Sequence, residues 1–215
     1  MRRPGDVTER GDDMRVIITG SSGLIGTSLG LRLMADGIEV TGIDRLPNPW
    51  TDRIPTHLED LCATGTLETD PWGSADVVVH LAARAKVHES VEHPSNALEN
   101  YTVTHRVLDY CRQTGTPVIF GSSREVYGEQ ATIPVREDAV RVEGAASPYA
   151  AAKLADEALI RSFARCFDLP FVILRFSNVY GRLRLGAERP FRPPPLRPCP
   201  TSGAARSEEH TSELQ

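Results

Sequence analysis

Lysine is almost missing from this chain. Of its 215 residues only Lys86 and Lys153 are lysine, although Lys and Arg together number 24. The remaining basic residues are arginine, a bias expected of a GC-rich genome, so a lysine at a motif position carries information. Asp and Glu number 29, giving a net charge of −5, and without a basic excess no nucleic-acid partner is expected. The four cysteines, Cys62, Cys111, Cys166 and Cys199, stand far apart with no C-x-x-C pair. Neither a zinc site nor a disulfide framework is indicated, and the reducing cytoplasm is the expected compartment. No run approaches the ~18 apolar residues of a membrane span, and no signal-peptide core is present. No contact with a membrane is expected.

The two ends differ from the middle. Residues 1–13 are polar and aperiodic, and Met14 opens an apolar run, Val16-Ile17-Ile18. We read 1–13 as an N-terminal extension and Met14 as the natural start. From Arg182 to Ala205 there are six prolines and five arginines with no helical or strand period, the composition of a disordered tail. The last ten residues, Arg206 to Gln215, are encoded in order by AGA TCG GAA GAG CAC ACG TCT GAA CTC CAG, a string that resembles a sequencing adapter. Residues 182–215 are therefore expected to be disordered and non-native, the product of a shifted frame and adapter read-through.

Between the ends, short β-branched runs alternate with longer helical stretches. Strands are expected at 16–19, 39–43, near 57–58, and at 76–80, 117–121 and 171–176, with helices at 24–36, 94–114 and 148–167. That alternation predicts a parallel sheet covered on both faces. Runs such as Val77-Val78-Val79 are continuously apolar, as doubly buried strands should be. The fold class is α/β, a Rossmann-type doubly wound sheet in three layers over residues 14–181.

The first strand runs into Gly20-Ser21-Ser22-Gly23-Leu24-Ile25-Gly26 and then a helix. Glycine suits such a turn because the backbone bends tightly, approaches a pyrophosphate and packs on the next helix without a Cβ. The helix N-terminus adds free N–H groups and partial positive charge. Asp44, eighteen residues beyond Gly26 at the end of the second strand, places a carboxylate where it can bind both ribose hydroxyls of the adenosine half. A 2′-phosphate would be repelled there, so NAD is expected over NADP, with Arg45 the one neighbour able to favour the phosphate.

The glycine spacing and four further segments resemble the extended branch of the short-chain dehydrogenase/reductase superfamily, the NAD-dependent epimerases and dehydratases. His80-Leu81-Ala82-Ala83 is similar to the family's fourth-strand motif beside the cofactor. Asn100 is similar to an asparagine of the following helix, although Val103 stands where a glycine is usual. Ser122-Ser123-Arg124-Glu125-Val126-Tyr127-Gly128 resembles the fifth-strand motif, Tyr149-Ala150-Ala151-Ala152-Lys153 the Tyr-x-x-x-Lys, and Arg175 to Gly181 the sixth-strand signature. The resemblance implies a cofactor set of Gly20, Ser22, Gly23, Leu24, Ile25, Gly26, Asp44, Asp60, Leu61, Leu81, Ala82, Ala83, Asn100, Tyr149 and Lys153. Of these, Asp60-Leu61 matches an adenine-contacting pair.

Tyr149 and Lys153 are four apart on an expected helix and so share one face. A lysine ammonium there is expected to lower the phenol's pKa from its usual value of about 10, letting Tyr149 exchange a proton with a substrate hydroxyl while hydride passes to the nicotinamide. The resemblance gives Ser123 the role of holding the same oxygen, and makes Ser123, Arg124, Glu125 and Asn178 the substrate-side residues. In the family's sugar dehydratases an Asp-Glu pair follows the Ser123 position. Arg124-Glu125 lacks that acid, so elimination is disfavoured and an epimerase-like reaction on a nucleotide sugar is the leading expectation. A dehydratase or reductase is second, and a non-catalytic dinucleotide-binding protein is the reading from another class. His88 and His93 stand beside Glu89 and Glu92 but lack H-E-x-x-H spacing, so no metal is expected. The family forms dimers through the helices at 94–114 and 148–167, where Leu98, Val107, Leu108, Leu154 and Leu159 offer apolar faces. Its substrate-closing C-terminal domain begins about where Gly181 stands, so the chain is expected to be truncated and inactive.

Overall fold

In the computed structural model, residues 14–63, 72–129 and 134–181 are described. The expected extension at 1–13 and tail at 182–215 lie outside them. In chain order the elements are β1 (Arg15–Thr19), α1 (Leu24–Ala35), β2 (Glu39–Asp44), β3 (Thr56–Leu58), β4 (Val77–His80), α2 (Val87–Glu92), α3 (Ser95–Thr114), β5 (Val118–Ser123), α4 (Pro148–Phe167) and β6 (Phe171–Phe176). All six strands are parallel, in the order β3-β2-β1-β4-β5-β6. The order reverses between β1 and β4, and a crevice opens there at the carboxyl ends of the strands.

Alternation along the central strands divides the core in two. Ile17 and Val78 point to the side of α3 and α4, where they meet Val107, Leu108, Phe120 and Ile160. Val16, Ile18 and Val79 point the other way, with Val40, Ile54 and the α1 side chains Leu29 and Leu33. Both faces of β1 and β4 are thus covered, which explains their uninterrupted apolar sequence. The cover thins at β6: Phe171 and Ile173 pack on the core, whereas Val172 and Leu174 are exposed.

α4 begins where its sequence signals a start. Ser147 Oγ accepts the Ala150 N–H at 3.1 Å, and Pro148 fills the first turn, where no N–H is needed. Asp168 closes the helix in the left-handed region, at φ 53°. Val107 and Leu108 are fully buried in the chain's own core, which removes them from the expected dimer face; Leu98 remains exposed. No helix among the described residues is long and apolar enough to cross a membrane.

Candidate active site

The β1–α1 turn sits hard against the end of β4. Gly20 adopts φ +75°, and a Cβ there would lie 2.7 Å from Ala82 N. Gly20 N–H donates to Ile43 O at 2.8 Å, tying the turn to β2 as well. No side chain caps α1, so the first-turn N–H groups of Leu24, Ile25 and Gly26 have neither an intrahelical nor a side-chain acceptor and face the crevice. Asp44 ends β2 with its carboxylate fixed by two backbone donors, Ser22 N–H and Leu46 N–H, each at 3.0 Å.

A single cleft of about 560 Å³ runs from this turn to the ends of β5 and β6. It is lined by Gly20, Gly23, Leu24, Ile25, Gly26, Asp44, Asp60, Leu61, Leu81, Ala82, Ala83, Asn100, Tyr149 and Lys153, and on the substrate side by Ser123, Arg124, Glu125 and Asn178. Ser22 is the exception among the expected residues. Its hydroxyl donates to Leu46 O at 2.7 Å, so it shapes the Asp44 loop rather than the cleft wall. Asn100 holds the segment after β4 in place: its Oδ1 accepts Arg84 N–H at 2.6 Å and its Nδ2 donates to Arg84 O at 3.3 Å.

At the far end Ser123, Tyr149 and Lys153 come together. Ser123 is the last residue of β5, and its Oγ accepts Glu125 N–H at 3.2 Å to start one 3-10 turn, Arg124–Tyr127. Lys153 is 3% exposed. Its Nζ donates to Gly121 O at 2.9 Å, lies 4.5 Å from the Phe120 ring centroid and 6.0 Å from that of Tyr149. The expected lowering of the Tyr149 phenol is not met. Burial pushes it above its usual value, the Ser123 side chain pulls it back in part, and the Glu125 and Asp156 charges raise it further. The cause is geometric: the ammonium is directed at the Gly121 carbonyl and the Phe120 ring. Burial in turn brings Lys153 down to about 8.

Two features behind the site escaped sequence reasoning. Glu157 accepts Ser122 Oγ–H at 2.7 Å and a bidentate pair from Arg175, Nε at 2.9 Å and Nη2 at 2.8 Å. This locks α4 to β5 and β6 immediately below Ser123. Burial alone would raise Glu157, but the Arg175 and Ser122 hydrogen bonds outweigh it and hold the carboxyl below its usual range. Below the cleft floor, buried His80 is bonded to Thr19 Oγ1 at 2.7 Å and Thr104 Oγ1 at 3.2 Å. Its burial, with the Lys153 charge, lowers it to about 3 and keeps it neutral. The cleft wall also includes Arg45, already noted beside Asp44, and Phe176 of the sixth-strand signature, together with Cys62, Arg84 and Glu99, which carry no local motif that would have marked them.

The family model for the NAD dependent epimerase/dehydratase family matches residues 16–192. A UDP-glucose 4-epimerase of Mycolicibacterium smegmatis is 33% identical over 184 residues, covering 78% of this chain and 57% of that protein. Among solved structures, the UDP-N-acetylglucosamine 4-epimerase of Methanobrevibacter ruminantium M1, in complex with UDP-N-acetylmuramic acid, is 32% identical with a TM-score of 0.71. That alignment covers 80% of this chain and 57% of the other. An NAD dependent NDP-hexosamine 5,6-dehydratase of tunicamycin biosynthesis is also 32% identical, with a TM-score of 0.69 over 78% of this chain and 56% of its own. The chain thus spans about half the length of the curated relatives it matches, from 41% to 57%.

Proposed function

This chain belongs to the NAD-dependent epimerase/dehydratase family, and from that premise we propose that residues 14–181 are the cofactor-binding unit of an NAD-dependent, epimerase-like oxidoreductase acting on a nucleotide sugar. One observation carries the reading: Ser123, Tyr149 and Lys153 stand in the same cleft as the glycine turn and Asp44.

The residues present fit the cofactor. The uncapped first turn of α1 offers N–H groups to a pyrophosphate, and a Cβ at Gly20 would strike the backbone at Ala82. Asp44, held by two N–H donors, accepts from ribose hydroxyls and repels a 2′-phosphate, which supports NAD over NADP. When bound there, NAD+ would supply a reversible hydride acceptor for the carbon that bears the reacting hydroxyl.

The chain's own residues move the proton. Tyr149 accepts it from the sugar hydroxyl and gives it back on reduction, while Ser123 holds the reacting oxygen. The raised phenol keeps its proton in the free chain, so the base is armed only when further positive charge enters the cleft. Dehydratase or reductase chemistry on a related sugar is the second reading, supported by one observation: Glu125 lines the same cleft as Tyr149 and Ser123. Pairing of two copies through α3 and α4 belongs to the same proposal, with exposed Leu98 on its face.

The test has two stages. Titration with NAD+ should show weak binding to the 215-residue chain, without sugar turnover; no binding at all would overturn the reading. With the C-terminal part of a related UDP-glucose 4-epimerase fused after residue 181, UDP- or dTDP-sugars should raise a reduced-nicotinamide absorbance band. Tyr149→Phe should lose the band and keep NAD+ binding. No band with any sugar would favour a non-catalytic dinucleotide-binding protein.

A further inference from the structure

Beneath the Tyr149 and Lys153 pair lies a carboxylate that the proposed chemistry does not use. Asp156 follows Lys153 by three residues on α4, so the two side chains lie on neighbouring turns of one face. Asp156 is fully buried, and among the described residues neither of its oxygens has a well-formed hydrogen bond; the Thr104 hydroxyl is the neighbouring donor, and it lowers the carboxyl. An ionised carboxylate in that position is strongly disfavoured unless an opposite charge compensates it. The nearby opposite charge is the Lys153 ammonium, equally enclosed and given one hydrogen bond, to Gly121 O at 2.9 Å.

Asp156 is the first of two carboxylates that raise Lys153; the second, Glu157, is shared with arginines. From α4 itself Lys153 and Glu157 act on Asp156, and Asp156 in turn acts on Tyr149. Glu157 is already committed to Arg175 of β6, with Nη2 at 2.8 Å. From α3 the Thr104 hydroxyl, bonded to His80 of β4, is the polar group that acts on Asp156. His80 is neutral and brings no charge.

We propose that Asp156 is a positioning residue, the buried counter-charge that keeps Lys153 an ammonium ion beneath Tyr149. The inference rests on the reading of Lys153 as the cation of the site. Each partner opposes the effect of burial on the other. For Lys153, burial lowers and Asp156 raises, with a net result of about 8; for Asp156, burial raises and Lys153 lowers, with a net result of about 6. Between those values both groups are charged, without a contact as short as 4.0 Å. Below about 6 Asp156 takes a proton, and Lys153 keeps only the more distant influence of Glu157, itself held by Arg175.

The scarcity of lysine makes this measurable on the full 215-residue chain. Isotopic labelling at the lysine ε carbon gives two resonances, Lys153 and the exposed Lys86, the latter an internal reference. In the wild-type chain the Lys153 resonance should titrate near pH 8 and show a second inflection near pH 6, as Asp156 takes its proton. In Asp156→Asn the main midpoint should fall by about one pH unit or more and the second inflection vanish, while Asp156→Glu retains both. A folded Asp156→Asn chain whose Lys153 midpoint is unchanged or higher would overturn the proposal, as would a wild-type titration without the inflection, which needs no variant to fold. A purely structural Asp156 would change stability and leave the Lys153 midpoint where it was. The role of Lys153 in turnover is read separately, from the sugar-dependent nicotinamide band, so either failure is recognisable for what it is.

Discussion

Alanine placed at Gly26 and at Gly30, one turn apart on α1, should have very different effects. Both substitutions replace a buried helical glycine, and each gains about 1 kcal/mol of helix propensity. What the new methyl meets decides the rest. At Gly26 it would lie 2.3 Å from Gly20 O and 2.8 Å from Ser21 Cα, both backbone atoms of the β1–α1 turn. No rotamer relieves that clash, so α1 must move away from β1. Overpacking costs of about 3 kcal/mol, less the propensity gain, leave a net loss of about 2 kcal/mol. At Gly30 the nearest atom is Ile54 Cδ1 at 2.7 Å, the free end of a side chain, and the next contacts are at 3.5 and 3.6 Å. Ile54 can turn aside, and the two effects cancel to within about 1 kcal/mol. Urea unfolding gives the stabilities, and calorimetric titration with NAD+ gives the binding. Gly26→Ala should be destabilised and lose NAD+ binding, with Gly30→Ala close to wild type in both. Equal losses in the two variants, or a stable Gly26→Ala that still binds, would refute the reasoning.

Other outcomes follow from the buried charges and the open edge. Arg175→Ala leaves Glu157, whose side chain is 5% exposed, with only Ser122 and the more exposed Arg161 at 3.7 Å, and should cost about 3 kcal/mol in urea unfolding. Because folded His80 is lowered from 6.5 to about 3, the unfolded chain alone takes up that proton in this window. Stability contributed by neutral His80 is present above pH 6.5 and falls with pH by up to about 1.4 kcal/mol per unit. Asp156 has the opposite sign, since the folded chain binds its proton first, from about 6 downward, so Asp156→Asn should steepen the acid loss in melting experiments from pH 7 to pH 4. Replacing exposed Val172 and Leu174 by lysine should raise the soluble yield without lowering the melting temperature; a drop in melting temperature would mean that these side chains pack after all.

The strands and long helices were legible because their patterns are local. β5 runs two residues beyond the expected end at Gly121. Ser122 and Ser123 look like a turn in isolation, yet they continue the ladder because Arg175 and Phe176 pair beside them. α2 was missed because six residues show too little periodicity to declare a helix. The glycine turn, Asp44 and the Tyr149 to Lys153 spacing identified most of the cleft, since each is a short segment with one chemical purpose. The direction of the Tyr149 shift was not legible. It depends on where the Lys153 ammonium points and on charges from Glu125 and Asp156, which only packing decides. The Glu157 and Arg175 lock joins a helix to a strand eighteen residues on; Arg175 opens the sixth-strand signature, but nothing in the sequence marks Glu157 as its partner.

The link from Thr19 through His80 to Thr104 has only a few hydrogens to arrange. A neutral imidazole protonated on Nε2 donates to Thr104 and receives from Thr19, which leaves Thr104 its own hydrogen to turn toward Asp156. Protonated on Nδ1, the ring donates to Thr19 and draws on the Thr104 hydrogen instead. The tautomer of one histidine is thereby coupled to the surroundings of a carboxylate on another layer of the fold, and at its other end to Thr19, which receives the N–H of cleft-lining Ala82 at 3.3 Å. Ring-nitrogen chemical shifts of His80 would therefore report on both ends at once, through the direction of hydrogens between heavy atoms that stand still.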